Sequence, residues 1–250
     1  MSRLITIAVL LAMAAPVPLT ALAASEAGAT QRHTVQFAKG KSSAQVRGSI
    51  KGEGDAEYTI NARAGQTLAV TLKPSNASSY FNIKPPGSKD VAMFIGSSSG
   101  AEAKLMLPAD GSYVVQVYLM RNAARRNESA TYTLDVAVTG QPLAPLPAAQ
   151  DALVPGTRFH AAADVPCQTL GSGAGASCKA GVIRRGRDGT ATVELRGANG
   201  LVRNVLFVKG QPVASDSAQP MTSSRQADLL TVRFGSDERY DVPDALVTGG

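Results

Sequence analysis

Apolar and polar residues alternate with a period of two along much of the first 140 residues. Ala44, Val46, Gly48 and Ile50 alternate with Ser43, Gln45, Arg47 and Ser49, and Tyr58, Ile60 and Ala62 alternate with Glu57, Thr59 and Asn61. After the turn RAGQ the pattern resumes, with Leu68, Val70 and Leu72 against Thr67, Thr71 and Lys73. This period puts successive side chains on opposite faces of an extended chain, so each segment reads as a half-buried strand. SYFNIK, VAMFIG and AKLML follow, separated by PPGSKD and SSSGAE, whose Pro, Gly and Ser mark turns. Tyr113 to Met120 is apolar on both faces except at Gln116, as in a central strand covered on both sides. Tyr132, Leu134, Val136 and Val138 then face inward and Thr131, Thr133 and Asp135 outward. No segment keeps a 3.6-residue period beyond two turns. Eight or nine short strands in about 105 residues predict an all-β fold, an antiparallel β-sandwich or jelly roll.

The rest of the chain is strand-like but thinner. AGVIRRG, GTATVELRG, LVRNVLFVKG, DLLTVRFG and ERYDVP predict about five strands in a small β domain over 156–250. Between this domain and the sandwich of 24–140 lies a Pro- and Ala-rich stretch, 141–155, whose prolines oppose helix and sheet alike and predict an extended linker. At the start, Arg3 precedes the apolar run LITIAVLLAMAA and then Ala21-Leu22-Ala23. That order predicts a secretory signal peptide over 1–23; with Pro16 and Pro18 the run falls short of the about 20 apolar residues a membrane span needs. The mature protein is expected in the periplasm.

Export changes the reading of the two cysteines, Cys167 and Cys178. In an oxidising compartment they read first as a disulfide, whose 11-residue separation would restrict the unfolded chain by about 2.5 to 3 kcal/mol. A metal site is the weaker reading, because only His160 lies near and no zinc spacing is present. The sandwich region carries 13 Lys and Arg against 9 Asp and Glu over 24–143, and the second region 11 against 10 over 144–250. The basic excess therefore sits mainly in the first region, where it favours an acidic partner; it is too small and too dispersed for nucleic acid.

Catalytic chemistry finds little support. His33 and His160 lie in different domains, and neither belongs to HExxH or neighbours a GxSxG elbow. Glu53, Asp55 and Glu57 lack the loop and closing acid of an EF-hand and read better as a solvated turn than as a calcium site. GSGAGAS, between the cysteines, has no Lys-Ser/Thr and no following helix, so it is no phosphate loop. Arg184, Arg185 and Arg187 could touch an acidic glycan, but read better as a solvated strand end. A non-catalytic protein without cofactor or metal is expected.

One segment stands apart, VYLMRNAARRNESATYTL from Val117 to Leu134. Its two strands flank a loop, 121–127, with three arginines and no glycine, longer than the two to five residues a hairpin needs. Arg121 and Arg125 are four apart, so on a turn of helical curvature they point the same way with Cβ atoms about 5 to 6 Å apart. Guanidinium groups so placed can grip two carboxylates in bidentate fashion. A solvated loop is the plain alternative; the loop's length, and Ala123 and Ala124, which would keep it slim, favour insertion into an acidic cleft.

FAKGKSSAQVRGSIKG, AEYTINARAGQTLAVTL and LPADGSYVVQVYLMRNAARRNESATYTLDV resemble, in order and spacing, the periplasmic inhibitors of goose-type lysozyme over residues 33–139. They are also similar to the sister inhibitors of invertebrate-type lysozyme. The resemblance implies a β-sandwich without catalysis that puts a loop into a lysozyme cleft, where carboxyl groups flank the scissile bond. The family's two inhibitory loop arginines fall on Arg121 and Arg125, with Asn122 between them. Two positions depart from the pattern. Glu53, after Gly52, stands where inhibitors of goose-type lysozyme carry a tyrosine, and an acid there opposes an acidic cleft. The S-G-x-x-Y loop of the sister families is present only as Ser99-Gly100-Ala101-Glu102-Ala103, without its tyrosine. The C-terminal region resembles a small secreted bacterial domain of unassigned function. The expected partner is a lysozyme, goose-type first; the alternatives are the invertebrate-type enzyme or an envelope carbohydrate-binding or adhesion role, which the absence of Trp disfavours.

Overall fold

The computed structural model describes residues 28–169, 172–173 and 175–249. The expected signal peptide lies outside the described residues. The described residues are all-β with three short helices. Nine strands build the first unit: β1 (Thr30–Thr34), β2 (Ser43–Lys51), β3 (Asp55–Ala62), β4 (Thr67–Pro74), β5 (Ser79–Lys84), β6 (Phe94–Ile95), β7 (Glu102–Met106), β8 (Gly111–Leu119) and β9 (Ser129–Thr139). They form a five-stranded sheet, β1-β3-β8-β5-β6, and a four-stranded sheet, β2-β9-β4-β7.

The predicted alternation sets the inner faces. In β9 Tyr132, Leu134, Val136 and Val138 are buried, and in β8 Tyr113, Val115, Val117 and Leu119 are. With Ile60, Leu68 and Phe81 they form one core between the sheets. β8 is the central strand of its sheet, as its sequence suggested, but the cover expected on both sides is found on one: Val114, Gln116 and Tyr118 on its outer face are only half-buried. One pairing departs from the antiparallel rule: β1 runs parallel to β3, with Arg32 opposite Glu57.

The second unit has eight strands rather than about five: β10 (Ala161–Gln168), β11 (Ser177–Arg184), β12 (Ala191–Arg196), β13 (Val202–Val208), β14 (Gln211–Ser215), β15 (Met221–Gln226), β16 (Leu229–Phe234) and β17 (Glu238–Pro243). Their order is β14-β13-β12-β11-β10-β17-β16-β15, and the end strands β14 and β15 touch, so the sheet curls around a core of its own. The Cys167–Cys178 disulfide joins the neighbouring strands β10 and β11.

The two units meet at the end of the sandwich away from the basic loop. Ala64 packs with Leu206 and Ala214, flanked by Leu143 and Val208. The Arg185 side chain is 0% exposed here. Its Nη1 donates to Asp110 Oδ2 at 3.1 Å and to the Leu143 carbonyl at 2.5 Å, and its Nε donates to Thr192 Oγ1 at 2.9 Å. Thr192 Oγ1 in turn donates to the Pro108 carbonyl at 2.7 Å. Burial pulls the Arg185 pKa below its usual value, with Asp110 opposing that shift.

Arg184 donates to Asp151 and to the Leu246 and Val247 carbonyls, and Arg187 to the Gln150 carbonyl. The Arg184–Arg187 run is therefore neither a solvated strand end nor a glycan patch: it ties residues 141–155 and the sandwich to the second unit.

Candidate binding surface at the loop end of the sandwich

Four connections gather at the other end. The β2–β3 turn, the β4–β5 loop, the segment holding α1 (Gly96–Ser99), and the β8–β9 loop all lie where β8 finishes and β9 begins. Gly52 N donates to the Glu128 carbonyl at 2.9 Å, and Met120 N to the Ser78 carbonyl at 2.9 Å. Asn76 Nδ2 donates to Glu128 Oε2 at 2.8 Å. The β2–β3, β4–β5 and β8–β9 connections thus brace one another.

The basic loop folds as one helical turn, α2 (Arg121–Arg125). Ala124 N bonds back to the Met120 carbonyl at 2.9 Å, and Glu128 N to the Ala123 carbonyl at 3.2 Å. Ala123 and Ala124 are buried in the core. This corrects the role expected of them: they do not thin a protruding finger, they seat the turn on the end of the sandwich. Helical geometry then sends Arg121 and Arg125 to the opposite, exposed side together. Asn122 is exposed between them and its Oδ1 accepts from Ala123 N at 2.8 Å.

The three arginines are not equivalent. Arg126 is paired with Glu128, Nη2 to Oε1 at 2.6 Å. Among the described residues, Arg121 and Arg125 have no ion pair or hydrogen-bond partner for their guanidinium groups. Asn76 and then Arg126 hold the Glu128 carboxyl below the usual carboxylate range. The surface therefore presents two uncompensated cations on a braced turn.

The turn carrying Glu53 is brought beside α2. Gly52 has φ +58°, and a Cβ there would stand 2.7 Å from Asn127 Oδ1 and 3.7 Å from the Ala124 carbonyl oxygen. Asn127 is itself left-handed at φ 53°. Glu53 is exposed at the crest of this turn. Ser99 and Gly100 are exposed at the same end, where α1 begins against the Phe81 backbone.

The other candidates have structural settings. His160 Nδ1 accepts from Arg184 N at 3.0 Å, which places the ring proton on Nε2, 2.9 Å from the Leu146 carbonyl. His33 stacks on Tyr58 with centroids 5.1 Å apart. The acidic trio disperses: Gln116 bonds to Asp55, Glu57 pairs with Lys84 and Arg32, and Glu53 stands apart. Among the described residues no three His, Cys, Asp or Glu side chains are placed to hold a metal ion. Among those residues, too, no helix is long and apolar enough to cross a membrane.

A β-sandwich that braces its loops to display two unpaired cations is a protein built to bind rather than to react. The chain is 32% identical over 121 residues to the inhibitor of g-type lysozyme of Escherichia coli (strain K12), covering 48% of this chain and 90% of that protein. It belongs to the family of inhibitors of g-type lysozyme, and so to a family of inhibitor proteins, not of enzymes. Solved structures of periplasmic lysozyme inhibitors of g-type lysozyme are also similar. The Aeromonas hydrophila protein is 34% identical with a TM-score of 0.40, covering 44% of this chain and 98% of that one. The Salmonella Typhimurium protein is 30% identical with a TM-score of 0.35, at the same coverages. No family model matches the chain.

Proposed function

We propose that this protein inhibits goose-type lysozyme in the periplasm, by placing Arg121 and Arg125 in the enzyme's carboxylate-lined cleft and so protecting peptidoglycan. The observation that carries this reading is the pair of unpartnered guanidinium groups held on α2 by buried alanines, while Arg126 is neutralised by Glu128. Lysozyme chemistry needs carboxyl groups on both sides of the scissile bond, and guanidinium forks match them in charge and geometry. The bracing lowers the ordering cost of binding, because the turn is already seated before the enzyme arrives. The pattern of the first 23 residues and the Cys167–Cys178 bridge support a periplasmic location. The test is an inhibition assay of the mature protein against goose-, invertebrate- and chicken-type lysozymes. Inhibition of the goose-type enzyme at the lowest concentration is expected; preference for the invertebrate-type enzyme would move the target, and inhibition of none would overturn the reading.

A further inference from the structure

Two arginines alone make a thin interface. Exposed ion pairs contribute about 0 to 1 kcal/mol and weaken with salt, whereas specific complexes draw most of their affinity from a few desolvated anchors near the centre of the contact. The sandwich holds candidates for such anchors next to α2.

Buried and outward positions alternate along β8 up to Leu119, which places Tyr118 and Met120 in the outward set. Tyr118 lies directly opposite Tyr80 of β5, a pairing that brings Cβ atoms to about 5 Å. Ile95 of β6 lies opposite Asn82, the next outward position of β5, and the Tyr118 hydroxyl donates to Asn82 Oδ1 at 3.4 Å. Met120 is 38% and Ile95 36% exposed, and both tyrosines are half-buried. Among the described residues of the sandwich, only one other large apolar side chain is as exposed: Met106, which faces Thr67 at the far end. Further along the same face Lys84 pairs with Glu57, so charge there is compensated within the sheet. At the α2 end, uncompensated cations and exposed apolar surface thus lie side by side.

We propose that Met120, Tyr118, Tyr80 and Ile95 form the apolar half of the lysozyme-binding surface, packing on the wall of the cleft that the arginines enter. The inference rests on the functional reading above. Met120 directly precedes Arg121, so a body that takes in Arg121 also covers Met120. Three of the four side chains stand on paired strands, so little is lost in ordering them, and the contact excludes water from the neighbouring guanidinium–carboxylate pairs.

The full-length mature protein is assayed against a goose-type lysozyme as Met120→Gln, Ile95→Thr and Arg125→Ala, each over a range of sodium chloride concentrations. Met120→Gln and Ile95→Thr should each raise the inhibition constant about tenfold, with the wild-type salt dependence, because an apolar anchor has been removed. Arg125→Ala should weaken inhibition with a shallower salt dependence. Melting temperatures separate loss of contact from loss of fold, and Met120, outside any strand, remains informative if Ile95→Thr destabilises β6. Wild-type inhibition by both apolar variants, with Arg125→Ala impaired, would overturn the apolar surface and leave the arginine mechanism standing. Wild-type inhibition by all three would overturn both. Reduced co-sedimentation of the apolar variants with insoluble peptidoglycan, at unchanged inhibition, would make a glycan the occupant and overturn the proposal.

Discussion

Arg126 is clamped to Glu128, with Nη2 and Nε 2.6 Å and 2.7 Å from Oε1, while Arg125, one residue earlier, has no ion pair among the described residues. Neighbours in sequence thus differ in what they can offer an acidic partner. Arg126→Ala should change the inhibition constant less than about fivefold and act mainly on the association rate, as an outlying charge does. Surface plasmon resonance separates the two rates; a large rise in the dissociation rate would place Arg126 inside the contact.

Glu53 crowns the turn that packs against Asn127, at the same end of the sandwich as the presented cations. Glu53→Tyr removes a charge that opposes an acidic cleft and adds an amphipathic contact. It should tighten inhibition of goose-type lysozyme by about threefold to tenfold without a large change in melting temperature, since surface substitutions are usually within about 0.5 kcal/mol. Weaker inhibition by Glu53→Tyr would mean that the acid itself contacts the enzyme.

Much of this was legible in sequence, and the exceptions have physical reasons. Tyr132, Leu134, Val136 and Val138 announced their strand because one face is buried and the other wet. β15 did not, because Met221–Gln226 is exposed along nearly its whole length and no alternation is imposed on it. β10 contains Pro166 and two exposed alanines, and β1 has no strong apolar residue at all. The Arg121–Arg125 spacing was visible, but the work of Ala123 and Ala124 was not: a single helical turn is too short to show a period, and small residues look alike in a spacer and in a tight seat. Asp110 and Arg185 are 75 residues apart, and nothing local marks a turn aspartate as the partner of a buried arginine.

The Cys167–Cys178 bridge closes a short loop between β10 and β11. Cys167→Ser should destabilise the second unit by about 2 to 4 kcal/mol while leaving inhibition nearly unchanged, because the arginines lie at the far end of the sandwich. Paired denaturation and inhibition curves check this. A parallel loss of inhibition would make the second unit part of the site.

Asp216 is 2% exposed and burial pushes its carboxyl up to about 6, against a hydrogen bond from Asn204 and the nearby Arg203 charge. A raised carboxyl pKa means that the folded chain holds the proton more tightly than the unfolded chain, whose value is about 3.9. This group's contribution to stability is therefore full below about pH 4, falls as pH rises to about 6, and is flat beyond. Asp216→Asn can still accept from Asn204 through its amide oxygen, and should flatten that slope and stabilise the protein at about pH 7.5 by at most roughly 2 to 3 kcal/mol. Melting temperatures from about pH 4 to about pH 8 test the sign; an unchanged slope would assign the pH dependence elsewhere.

The central claim is that Arg121 and Arg125 act as a pair in an acidic cleft. Truncating either to Ala should cost about 2 to 5 kcal/mol of binding, mostly as faster dissociation, and Lys at either position should restore only part because a point charge lacks the guanidinium fork. Folding should be little affected, since neither side chain has an intramolecular ion pair to lose among the described residues. The most direct measurement is the inhibition constant of the Arg121→Ala, Arg125→Ala double variant against a goose-type lysozyme that the wild-type protein inhibits, with the melting temperature read on the same sample. Loss of inhibition at an unchanged melting temperature is the predicted result; inhibition equal to wild type would contradict the loop mechanism.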